Sequence, residues 1–250
     1  MNNIHIGTSG WSYKHWRNLF YPPDVKPANW FHYYADRFNT VELNSSFYRL
    51  PTVKTVEGWA QKAPEGFLFC PKMNRLLTQY KKLREPEEPL ERFFEVFAPL
   101  QGKMGPVLVQ LPPSGSFNYD VAEHFFQLLQ TSYGANTFVL EIRHLSWLHT
   151  DALTLMAQYN IGLVISQSDG RFPYAEMPTA TTIYVRFHGP EALYASNYST
   201  EMLQAYADKF SRWRQEGHTI WAFFNNDIHG FATENARQLI ELCGNGSVTG

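Results

Sequence analysis

Ionisable and amide side chains recur in this sequence at one kind of position, the far end of a short apolar run. Glu42 and Asn44 alternate with Val41 and Leu43. Lys72 shares a face with Leu68 and Cys70, and Gln110 alternates with Val109 and Leu111. Glu141 and Arg143 alternate with Leu140 and Ile142, and Arg186 and His188 with Val185 and Phe187. Two carboxylates in unequal surroundings can divide the roles of general acid and general base. Glu42, Glu141 and His188 are therefore the candidate catalytic groups. Lys72, Arg143 and Arg186 suit an anionic group, which arginine can grip with two parallel N–H donors. Asn44, Gln110, Asn225 and Asn226 have the donors and acceptors to orient hydroxyls.

A second constellation follows the first apolar run: Gly7-Thr8-Ser9-Gly10-Trp11-Ser12-Tyr13-Lys14-His15-Trp16. Two glycines allow a tight turn and a close backbone approach, and the Thr8 hydroxyl and neighbouring amides suit an anion. Trp11 and Tyr13 can stack on a base or a sugar ring, whereas Trp16 and Phe20 read as an aromatic cluster closing the rim. The GxxG spacing is not the dinucleotide fingerprint, and P-loop, HExxH and GxSxG signatures are absent. A divalent site would have to draw on Glu42, Glu141, Asp169, His188 and Asp227. Three cations among them oppose it, so no structural metal is expected, and no cofactor is indicated.

Elements that position these groups follow from periodicity. Eight brief runs rich in Val, Ile, Leu or Phe read as strands: His5–Thr8, Thr40–Ser45, Leu68–Lys72, Pro106–Leu111, Thr137–Arg143, Gly162–Ser166, Thr182–His188 and Thr219–Phe224. Helical patterns separate them at Asn29–Phe38, Val53–Lys62, Pro89–Leu100, Val121–Ser132, Thr150–Gln158, Ser199–Glu216 and Thr233–Leu242. After the sixth strand, Gly170, Pro173 and Pro178 predict a loop in place of a helix. Regular alternation of strand and helix predicts a parallel sheet covered by helices. Eight repeats in 250 residues predict a (β/α)8 TIM-type barrel forming one domain over residues 1–250, with an open doubly wound sheet as the alternative. Charges gathered at the C-terminal ends of the strands then fall on the face where such barrels keep their chemistry.

Composition narrows the partners. A formal net charge of -2 gives no field to draw in nucleic acid or an anionic membrane. Cys70 and Cys243 lie far apart and offer neither a disulfide framework nor a thiolate zinc site. After Met1 no basic segment leads into an apolar run, and no stretch approaches the ~18 apolar residues of a membrane span. The expected location is the cytoplasm.

With these residues in place, the chain resembles the YecE-like family (domain of unknown function 72). The resemblance rests on Gly7–Tyr13 with Trp16, on Asn39–Pro51, on Lys72, and on Gln110-Leu111-Pro112-Pro113. Further on it rests on Glu141-Ile142-Arg143-His144 with Trp147, on Tyr184–Gly189, and on Phe224-Asn225-Asn226 with Gly230, Ala232, Asn235 and Ala236. It implies a TIM barrel and supplies no reaction. One departure stands out: where the family shows Thr-His, this chain has Thr78-Gln79, which counts against proton transfer there.

Three functions are compatible with these residues. The first is an enzyme acting on a phosphorylated or polyhydroxylated small molecule by carboxylate acid–base chemistry, as a hydrolase, lyase or isomerase. The second is a nucleic-acid binding or processing protein, with first-loop aromatics on a base and the Lys/Arg set on phosphate. The third is a ligand-binding barrel without turnover. Net charge favours the first over the second, and clustered ionisable groups favour an enzyme over a scaffold.

Overall fold

In the computed structural model, residues 3–244 are described. Eight strands alternate with helices: β1 (Ile4–Thr8), β2 (Thr40–Leu43), β3 (Leu68–Pro71), β4 (Val107–Gln110), β5 (Phe138–Glu141), β6 (Gly162–Gln167), β7 (Thr182–Phe187) and β8 (Thr219–Phe224). The helices are α1 (Trp30–Ala35), α2 (Ser45–Tyr48), α3 (Val53–Lys62), α4 (Glu87–Phe97), α5 (Tyr119–Tyr133), α6 (Thr150–Gln158), α7 (Thr200–Gln215) and α8 (Phe231–Leu242). No helix lies between β6 and β7, where the Gly/Pro-containing segment runs as a loop.

All strand pairs are parallel. A six-stranded curled sheet has the order β1-β8-β7-β6-β5-β4, and β2 pairs separately with β3. Two junctions lack a continuous ladder, each for a local reason. Between β1 and β2 the Tyr34 hydroxyl of α1 intervenes, accepting from the Thr8 N–H at 3.0 Å and donating to the Thr40 carbonyl at 3.0 Å. Gly7 is needed at this approach, since a Cβ there would fall 2.4 Å from the Thr40 carbonyl oxygen. Between β3 and β4 only isolated bridges form, Phe69 with Met104 and Lys72 with Leu108. Pro71 and Pro106 have no N–H to contribute to a ladder there.

Alternation divides the buried residues into two cores. The outward parity of the strands packs under the helices with Phe31, Phe93, Phe125, Leu155, Phe210 and Leu239. The inward parity forms a separate cluster of Cys70, Leu108, Val139, Val164, Tyr184, Trp221 and Phe223, with at least one residue from each of β3 to β8. The next inward positions towards the strand C-termini are Lys72, Gln110, Glu141, Ser166 and Arg186, so the apolar layer is the floor beneath the charged one. Among the described residues, no helix is long and apolar enough to cross a membrane.

Candidate active site

Strand alternation delivers Glu42 from β2, Glu141 from β5 and Arg186 from β7 to one buried cluster. Arg186 donates from Nε (3.0 Å) and Nη2 (2.7 Å) to the two oxygens of Glu42, and from Nη1 (2.7 Å) to Glu141. Glu42 also accepts from the Ser9 hydroxyl at 2.7 Å and the Tyr184 hydroxyl at 2.8 Å. Glu141 accepts from Ser166 (2.6 Å), Arg143 Nη2 (2.9 Å) and His188 Nε2 (3.0 Å). Ser166 in turn accepts from Arg143 Nη1 at 2.9 Å, and the Arg143 guanidinium lies 3.4 Å from the centroid of the Phe172 ring. The neighbouring amide assigns the His188 tautomer: Asn225 Nδ2 lies 3.2 Å from Nδ1. An amide nitrogen donates, so Nδ1 accepts and the proton sits on Nε2, facing Glu141.

These contacts fix the charge states. Burial pushes the Glu141 carboxyl upward, but Arg143, Arg186 and the His188 hydrogen bond outweigh it and hold it well below the usual carboxylate range. Glu42 is likewise held low against burial, by Arg186, Lys72 and the Ser9 hydroxyl. Burial and then the Arg186 charge bring His188 down to about 4, with Glu141 opposing. At neutral pH the core of the cluster is thus two carboxylates, two guanidiniums and a neutral imidazole, with no net charge.

Lys72 stands outside this pairing. It lies just beyond Pro71, is 7 % exposed, and its ammonium sits 4.3 Å from the centroid of the Phe47 ring. Among the described residues Nζ has no hydrogen-bond or ion-pair partner. Burial, followed by the Arg186 charge, lowers it to about 7, while Glu141 and Glu42 pull the other way. Three amides are half-buried at the same strand ends. The Gln110 side chain and Asn225 Oδ1 have no partner among the described residues, and Asn44 Oδ1 is buried without one.

Of the residues singled out by sequence, Glu42, Lys72, Glu141, Arg143, Arg186, His188, Asn225, Gln110 and Asn44 share this end of the strands. Three others do not join the cluster. The Thr8 hydroxyl is engaged by the Gly10 carbonyl at 2.7 Å and Tyr34 at 3.0 Å. Asn226 is buried and ties the Ser196 carbonyl (2.9 Å) to Asn235 (2.9 Å). Trp11 turns outward, edge-on to Phe31 and Trp59. Tyr13 is intermediate: its hydroxyl donates to the Ser9 carbonyl, and burial with the charges of Asp227 and Glu42 raises its pKa. Trp11 and Tyr13 line a cleft of about 560 Å³ with Phe31, Asn44, Tyr48 and Trp59. Asp169 and Asp227 do not complete a metal set, and among the described residues no three His, Cys, Asp or Glu side chains are grouped to hold an ion.

Ser9, Ser166, Tyr184, Phe47 and Phe172 were not singled out by sequence reasoning. Ser166 and Tyr184 occupy the inward parity of β6 and β7, and Ser9 continues that of β1 one residue past its end. Phe47 and Phe172 come from a short helix and a loop, where no period marks a face. Gln79 donates to the Gln110 carbonyl at 2.6 Å, so the residue in place of the family's histidine braces β4.

Comparison with known proteins agrees with this architecture. The UPF0759 protein YunF of Bacillus subtilis is 25% identical, over 96% of this chain and 94% of its own. The UPF0759 protein YecE of Escherichia coli K12 is 25% identical, over 85% and 82%. The crystal structure of a DUF72 family protein from Thermotoga maritima superposes with a TM-score of 0.84 at 28% identity, covering 96% of this chain and 99% of that one. One from Enterococcus faecalis V583 gives a TM-score of 0.81 at 22% identity, covering 96% and 95%, and shares the fold. The family model described as "Protein of unknown function DUF72" matches residues 5–249, and this chain belongs to that family.

Proposed function

We propose that the protein is an enzyme acting on a small phosphorylated or polyhydroxylated molecule, bound at the strand C-terminal ends that carry Lys72, Gln110 and Asn225. The strands are inferred to close into a (β/α)8-type barrel of one domain, through the Tyr34 link and the isolated β3–β4 bridges. Closure would make the inward layer a walled pocket, open at the strand C-termini. The observation that carries the reading is the unpaired Lys72. Burying a charge without a partner costs several kcal/mol, and a group kept at that cost is a functional candidate.

Roles follow from the charge states. Glu42 and Glu141 are saturated with donors and serve as fixed anions that orient Arg186, Arg143 and His188. Lys72 is the group poised to exchange a proton near neutral pH. Counting Lys72 as protonated, the site carries one net positive charge, which suits a single anionic group. Asn44, Gln110 and Asn225 offer unsatisfied amide atoms to hydroxyls.

Thermal shift tests this directly, because a ligand that binds only the folded state raises its stability with concentration. Phosphate, sugar phosphates, nucleotides and short single-stranded DNA are compared in wild type and Lys72→Met. The expected result is stabilisation by sugar phosphates by several degrees, lost in the variant. Stabilisation by DNA alone would move the reading to nucleic acid, and no response to any compound would contradict a ligand site.

A further inference from the structure

The chemistry of Lys72 can be taken one step further than proton exchange. Among the other lysines, Lys209 pairs with Glu176, Lys81 with Glu85, and Lys103 with the Ala63 and Pro64 carbonyls, while Lys14, Lys26, Lys54 and Lys62 are exposed to solvent. Among the described residues the Lys72 amine has no hydrogen-bond or ion-pair partner; the Phe47 ring lies beside it, and the residue retains a small accessible surface. The charged groups around it are Glu42 on β2, Glu141 on β5, Arg143 beyond β5 and Arg186 on β7. Each of the four is bound to another of the four, so none is free to claim the amine.

We propose that Lys72 is a nucleophile that forms an imine with the carbonyl carbon of an aldehyde- or ketone-bearing sugar or sugar phosphate. This inference rests on the small-molecule reading above and names its substrate class. The nitrogen lone pair of the neutral amine adds to the carbonyl carbon, and the C=O π pair moves to oxygen, which takes up a proton. The resulting carbinolamine loses that oxygen as water as the C=N bond forms and nitrogen gives up its protons. One amine and one carbonyl give one imine and one water, with no oxidant or reductant.

The surroundings support each requirement. The amine must be neutral to attack, and with Lys72 at about 7 a substantial fraction is neutral at physiological pH. An ordinary lysine is neutral in roughly one molecule per few thousand under the same conditions. The Phe47 ring is not a carboxylate or carbonyl that would tie up the amine protons, and the free Gln110 amide and Asn225 Oδ1 can hold hydroxyls of the substrate.

Reductive trapping tests the proposal. Wild-type protein is incubated at pH 7 with dihydroxyacetone phosphate, and separately with glyceraldehyde 3-phosphate, in sodium cyanoborohydride. Intact mass and peptide mapping follow. The expected product is one reduced adduct per chain on the peptide containing Lys72, formed at least ~10-fold faster than on any other lysine. The adduct should vanish in Lys72→Arg and in Lys72→Met, each checked for folding by circular dichroism. Labelling spread over surface lysines without enrichment at Lys72 would overturn the proposal. If dihydroxyacetone phosphate still stabilises wild type but not Lys72→Met while no adduct forms, the imine fails and the pocket reading stands. If neither adduct nor stabilisation is seen, both fail.

Discussion

Arg186 and Lys72 are buried cations in the same inward layer, and they are treated in opposite ways. Arg186 is 1 % exposed and spends three donors on two carboxylates, which themselves receive hydroxyls from Ser9, Tyr184 and Ser166. Lys72 is 7 % exposed, and among the described residues its ammonium has an aromatic ring beside it and no hydrogen-bond or ion-pair partner. Arg186 therefore acts as a strut joining β2, β5 and β7, and its charge is raised further out of reach of titration by Glu141 and Glu42 against the effect of burial. Lys72 is held where its charge is a liability to the fold. A buried cation that the fold satisfies fixes geometry, and one that it leaves unsatisfied is available for chemistry.

The largest loss is expected at Arg186. Removing one member of a buried ion-pair set strands its partners, at a cost of about 3–5 kcal/mol. Arg186→Met should thus lower stability by about that amount in urea unfolding, and a loss below ~1 kcal/mol would mean that the carboxylates are not truly buried with it.

His188 gives a smaller, pH-dependent effect. Its folded pKa, about 4, lies below the ordinary 6.5, so the unfolded chain binds the additional proton between those values. Stability should rise as pH increases through that window and be lost as pH falls from about 6.5 towards 4. Replacing His188 by Gln should remove this slope, on the order of 1–3 kcal/mol between pH 4 and 6.5. An unchanged slope in the difference between the two proteins would contradict a buried neutral imidazole.

Lys72→Met should act in the opposite sense to Arg186→Met, raising stability at pH 7 by about 1–2 kcal/mol. Because Lys72 falls from 10.5 to about 7, the unfolded chain holds the additional proton between those values. Wild-type stability then rises with pH across that range, so the advantage of the variant is fully present below pH 7 and fades towards 10.5. Unfolding at pH 6, 7, 9 and 10 measures it, and a variant less stable than wild type at pH 7 would make Lys72 structural.

Much of this was legible in the sequence, because alternation in a strand is rigid. The parity of Glu42, Lys72, Glu141, Arg143, Arg186 and His188 placed them on one face and at one end before any contact was known. The helix-free segment after β6 was equally legible from its Gly and Pro residues. Pairing was not legible. Arg186 has the fork of an anion binder, but the two carboxylates that close on it come from strands 144 and 45 residues away. Nor does parity reach into loops: Thr8 is drawn to Tyr34, and Trp11 to Phe31 and Trp59, by packing with α1 and α3. Strand lengths were overread for the same reason. Asn44 and Ser45 carry on the alternation of β2, but the ladder with β3 ends at Leu43 and Ser45 begins α2.

Titration of Lys72 itself decides whether its amine is the unpaired, buried one. Lysine side chains labelled with 13C at Cε are followed by NMR from pH 5 to 11 in wild type and in Lys72→Arg. One resonance with a midpoint near 7, absent from the variant, is the expected result. A wild-type spectrum in which every lysine titrates near 10.5 would show that Lys72 is paired or solvated, and would contradict the account.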